Sequence, residues 1–129
     1  MRISQILAVV SIALSGASFA ADKHDHAHEP KALNGGIVAE ANDLDFELVA
    51  KPDSISLYVR NHGKPTNTQG ATAKLTLLNG AEKTEVTLAP NGANAFEAKG
   101  VFVVQKGTKA LALVSMPDKK SSTIRFQIR

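Results

Sequence analysis

Leu44-Asp45-Phe46-Glu47-Leu48-Val49-Ala50, then Lys51-Pro52-Asp53, then Ser54-Ile55-Ser56-Leu57-Tyr58-Val59-Arg60: this stretch decides the fold. Leu44, Phe46, Leu48 and Ala50 alternate with the charged Asp45, Glu47 and Lys51, and only Val49 breaks the pattern. After the Pro52-Asp53 turn, Ile55, Leu57 and Val59 alternate with Ser54, Ser56, Tyr58 and Arg60. Side chains on a strand point to opposite faces in turn, so a period of two describes a strand with one face in a core and one in water. Two such strands joined by a tight turn predict an antiparallel pair.

The same rhythm continues outward. Ala73, Leu75 and Leu77 alternate with Thr72, Lys74 and Thr76. Asn79-Gly80 then supplies a hairpin turn, which Glu85-Val86-Thr87-Leu88 answers. Gly100 to Gln105, Lys109 to Ser115 and Thr123 to Ile128 complete the set, with Ile124, Phe126 and Ile128 facing one way. No segment sustains a helical period. About seven or eight short strands predict an all-β chain folded as an antiparallel, immunoglobulin-like β-sandwich. The term is architectural, because the Cys and Trp residues that mark antibody domains are absent. Residues 34–129 form the predicted domain.

The chain ahead of that domain has a different character. Arg2 is the only charge before Asp22, the run Ile6 to Leu14 is apolar, and Ser18-Phe19-Ala20 places small residues where a signal peptidase reads them. Residues 1–20 therefore read as a secretory signal peptide cut after Ala20, and the apolar run is shorter than a bilayer span requires. The short, simple signal reads as bacterial, which makes the periplasm the expected location. Removing Arg2 lowers the formal charge from +3. The remaining basic residues are scattered and form no stripe with interleaved aromatics, so nucleic acid is not an expected partner. The chain has no cysteine, which excludes disulfides, thiol catalysis and thiolate metal sites. Residues 21–33, ADKHDHAHEPKAL, lack apolar periodicity and read as a flexible tail.

That tail holds the most informative cluster, His24-Asp25-His26-Ala27-His28-Glu29, with three of the chain's four histidines. Imidazole is a common ligand for borderline metals, and a carboxylate can complete a site. In an extended chain, residues two apart project to the same side, so His24, His26 and His28 can converge on one ion, with Asp25 or Glu29 as a further ligand. The expected cofactor is a divalent transition metal, Cu, Zn or Ni. A solvated polar tail is the competing explanation. A second metal mode needs an amino terminus at Asp22, which would place a histidine third, as square-planar Cu(II) or Ni(II) sites require. Cleavage after Ala20 leaves His24 one residue too late for it.

Asp43, Asp45 and Glu47 share one strand face, with Glu40 nearby, and could attract a hard cation, although a solvated strand face is the better explanation. His62 lies in Asn61-His62-Gly63-Lys64-Pro65, a turn by composition, and Met116 is the one methionine past the signal. There is no nucleophile elbow, phosphate-binding glycine loop or His-Glu-x-x-His helix, so the chain is not expected to be an enzyme.

Gly35-Gly36-Ile37-Val38 with Glu40, Phe46-Glu47-Leu48-Val49, Ile55-Ser56-Leu57-Tyr58-Val59, Gly63-Lys64-Pro65 and Gly70-Ala71 occur in that order. This run resembles the small N-terminal periplasmic domain of membrane-fusion adaptor subunits in heavy-metal efflux pumps of the resistance-nodulation-division class. It is also similar to small stand-alone periplasmic proteins with a His-rich start before a Gly-Gly. The resemblance spans residues 34–90 and implies an accessory periplasmic domain associated with metal handling. It transfers no ligand residues, and the adaptors' helical hairpin, lipoyl-like and barrel portions have no counterpart in the sequence.

Two functions are thus expected. The first is a periplasmic metal-binding or metal-delivering protein that works through His24, His26 and His28. The alternative is an interaction module whose sandwich docks on an efflux adaptor or another envelope protein.

Overall fold

The computed structural model describes residues 31–117 and 119–129. Residues 1–30, which include the expected signal peptide and the histidine tract, lie outside the described residues. The strands are β1 (Ile37–Ala41), β2 (Leu44–Ala50), β3 (Ser54–Asn61), β4 (Lys64–Pro65), β5 (Thr72–Asn79), β6 (Glu82–Asn91), β7 (Ala95–Lys99), β8 (Lys109–Ser115) and β9 (Ser122–Gln127). No helix occurs among the described residues. Every pairing is antiparallel, in the order β1-β2-β3-β7-β6-β5-β8-β9, with β4 attached to β3. The architecture is the expected β-sandwich.

Its two walls are not separate sheets. The long β6 pairs with β5 as far as Leu88, opposite Ala73, and then with β7 from Ala89, opposite Glu97. One strand thus carries hydrogen bonding from the β1-β2-β3-β7 wall into the β5-β8-β9 wall. At the other side β1 and β9 lie beside each other. Asn42 in the β1–β2 turn donates its Nδ2–H to the Ser121 carbonyl (3.2 Å) and to Ser122 Oγ (2.9 Å) across that seam. The sandwich is therefore nearly barrel-like, with few open strand edges.

Period-two alternation places the core as expected. Leu44, Phe46 and Leu48 of β2 meet Leu57 and Val59 of β3, with Leu48 opposite Leu57 and Phe46 opposite Val59. Ala73, Leu75 and Leu77 of β5, Ala110, Ala112 and Val114 of β8, and Ile124 and Phe126 of β9 close the core from the other wall. Phe96 of β7 is fully buried among them. Turn chemistry also follows the residues. Asn42 and Asp43, then His62 and Gly63, have positive φ at both central positions of two-residue hairpins, the backbone that matches strand twist.

The assignment differs from expectation in two places. Gly100–Gln105 is no strand. It crosses from β7 in one wall to β8 in the other, and so runs over the end of the sandwich where no strand can lie beside it. Its amides are bonded piecemeal, Gly100 N–H to the Asp53 carbonyl and Phe102 N–H to the Pro52 carbonyl. The second difference is that β1, β4 and β7 are strands which alternation did not single out. β1 opens on the consecutive apolar residues Ile37, Val38 and Ala39, β7 has one large apolar residue, Phe96, and β4 is two residues long. None shows a clear alternation, so their pairing partners define them more than their own pattern does.

Candidate functional site

The described residue nearest the histidine tract is Lys31, and the chain from there to β1 is strapped across the outer face of β2 and β3. Glu47 organises this strap. Its carboxylate is fully buried, although it sits on the β2 face opposite Phe46 and Leu48, because residues 31–36 cover it. It accepts hydrogen bonds from the backbone N–H groups of Leu33 (3.0 Å), Asn34 (2.8 Å) and Gly36 (2.9 Å), and from Asn34 Nδ2 (3.3 Å). Arg60 of β3 forms an ion pair with the same carboxylate through Nη2, and its Nη1 donates to the Lys31 carbonyl at 3.0 Å. Arg60 is itself buried, so both charges are paired away from water.

Gly36 makes the close approach possible. A Cβ there would collide with the Leu48 carbonyl, which is backbone and cannot move aside cheaply. Gly35 has φ +73°, the left-handed region that glycine enters without strain. The Gly-Gly pair therefore turns the strap onto the sheet and lets it lie flat. Burial pushes the Glu47 carboxyl pKa up, but the N–H groups of Gly36, Asn34 and Leu33 and the Arg60 guanidinium outweigh it, so the net shift is downward.

This placement corrects the reading of Asp43, Asp45 and Glu47 as three carboxylates on one solvated strand face. Asp43 is exposed in the β1–β2 turn, Asp45 is half-buried opposite Arg60, and Glu47 is covered and committed to the strap. Among the described residues no three His, Cys, Asp or Glu side chains gather as a metal would need. His62 is exposed on the β3–β4 turn, and Met116 belongs to the core. The proposed ligands His24, Asp25, His26, His28 and Glu29 lie outside the described residues. No described helix is long and apolar enough to cross a membrane.

The Glu47–Arg60 lock was missed in the sequence, yet one signal pointed to it. Val49 breaks the alternation of β2 with an apolar residue on the outward face, and it is half-buried. An apolar residue on an outward face is what a strand shows where something covers it.

The sequence matches no protein-family profile and no curated protein. Among solved structures, the chain is similar to one described as the crystal structure of a Br derivative of BhCBM56, a carbohydrate-binding module. The identity is 10% and the TM-score 0.43, over 71% of this chain and 99% of that chain.

Proposed function

We propose that this chain is a non-catalytic, periplasmic metal-handling accessory protein whose His24, His26 and His28, assisted by Asp25 and Glu29, coordinate a divalent transition metal. The observation that supports this reading most is the concentration of three of the four histidines, interleaved with carboxylates, in one short tract. Imidazole and carboxylate are the donors available to a protein without cysteine. The Glu47–Arg60 lock adds a structural reason for the arrangement. It holds Lys31, Leu33 and Asn34 on a rigid sandwich, so the tract is joined to the domain at a fixed point. The partner is the metal ion itself, and the reaction is reversible coordination.

The test is calorimetric titration of the chain from Ala21 onward with Cu(II), Ni(II) and Zn(II), beside the variant His24→Ala/His26→Ala/His28→Ala. The parent is expected to bind at least one ion, and the variant to lose that binding. Because imidazole must be neutral to coordinate, affinity should fall as pH drops below about 6.5. Equal binding by parent and variant would sink the reading.

A further inference from the structure

The two outer faces of the sandwich differ. The β2–β3 side is covered by the strap and carries Glu40, Asp45 and Glu97 around it, with Lys99 beside Glu97 at 3.9 Å. The opposite wall has no covering chain among the described residues. Registers place Lys74, Lys83, Lys109 and Arg125 on its outer surface, with Glu85 as the one acidic side chain in the same rows. Glu85 is shared between Lys74 (3.9 Å) and Lys83 (3.8 Å), and all three are more than half exposed, so these contacts neutralise little. Lys109 and Arg125 form no ion pair with any described residue.

Between these cations the outer rows carry three leucines, Leu78, Leu111 and Leu113, interspersed with Thr76, Thr87 and Thr123. Leu113 is 48% exposed in the middle of β8, Leu111 beside it on the same face is half-buried, and Leu78, half-buried opposite Lys109, lies farther along. An open groove of about 570 Å³ runs along Leu78 and Leu111 and is flanked by Lys109, Arg125 and Gln127.

We propose that this face docks an extended acidic segment of a partner protein that carries apolar side chains among its carboxylates. Charge complementarity selects that occupant. Carboxylates of the segment would meet Lys109 and Arg125, and its apolar side chains would cover Leu111 and Leu113, which stand about 7 Å apart on one strand face. A second copy laid face to face would set cation against cation. Nucleic acid fits less well, because Phe46, Phe96 and Phe126 are buried and the face offers no aromatic ring for bases to stack on.

The experiment is fluorescence anisotropy of a labelled short peptide alternating Glu and Leu, with Lys/Leu and Glu/Ser peptides as controls. The Glu/Leu peptide is expected to bind, and to bind more weakly as salt is raised. Lys109→Glu/Arg125→Glu should weaken binding by about tenfold or more, as should Leu113→Ser. Thermal melting checks that each variant folds, and amide shifts in the parent should move on β8 and β9. Metal titration of the charge-reversal variant should be unchanged, so this proposal and the metal reading fail separately. The proposal is overturned by no binding of the Glu/Leu peptide, by equal binding of either control, or by indifference to charge reversal. Tighter binding of a DNA duplex or of phosphatidylglycerol vesicles overturns it as well, and so does self-association that depends on Lys109 and Arg125.

Discussion

A buried carboxylate that accepts three backbone N–H bonds and a guanidinium is a costly group to remove from one side only. Glu47→Ala would leave the Arg60 charge buried without its partner and strip the amides of Leu33, Asn34 and Gly36 of their acceptor. Breaking a buried pair in this way costs about 3–5 kcal/mol, which urea unfolding would measure. Glu47→Gln keeps the shape and part of the hydrogen bonding, and should cost less. The pH dependence follows from the lowered pKa. The unfolded carboxyl, with a pKa of about 4.3, takes up its proton first as pH falls. The stability that Glu47 contributes is therefore present in full above that value and is lost as pH drops through the folded pKa. Urea midpoints taken from neutral pH down to acid should fall more steeply for the parent than for Glu47→Gln. Matching slopes would show that Glu47 does not carry the acid response. At this scale the sequence is a poor guide, since Glu47 alternates with apolar neighbours just as a solvated strand residue does. Only the strap arriving from residues 31–36 reverses its environment.

Among the elements, β2, β3, β5, β6 and β9 are legible because each sets large apolar side chains on the inner face against polar ones outside. β8 alternates Ala110, Ala112 and Val114 inward with Leu111 and Leu113 outward, and is legible by its alternation alone. Gly100–Gln105 has the composition of a strand and lacks the neighbour that would make it one. Val101 is 95% exposed and Val103 57% exposed, while Phe102 packs against the core edge. An amide outside a ladder opens to solvent more readily than one inside it. Hydrogen exchange should therefore be fast at Val101 and slow at Leu75 and Ala112, which pair with each other between β5 and β8. Comparable protection at all three would mean that the crossing segment is paired after all. β1 and β7 fail in the opposite direction, since five residues with a consecutive apolar run in β1 and a lone Phe96 in β7 show no alternation until the partner strands are in place.

The whole molecule is stabilised by one shared core without disulfides, so its cooperativity depends on packing across the two walls. Phe96 is the clearest lever, being fully buried on β7, which joins β3 to the bridging β6. Phe96→Ala should cost about 3–5 kcal/mol, read as a lower urea midpoint in a single transition. A loss below about 1 kcal/mol would mean that the site collapses around the gap or is less packed than its burial implies.

The sequence by itself determined the all-β class, the inward faces of the principal strands, the Asn79-Gly80 turn and the concentration of imidazole in one tract. Each of these is a local property, set by side-chain period, turn chemistry or composition. Tertiary structure decided the joining of two walls through β6, the burial of Glu47 with Arg60, and the exposure of a cationic apolar face on one wall only. Those outcomes depend on which distant segments lie over which strands. Alternation specifies the face a residue occupies but not what comes to cover that face.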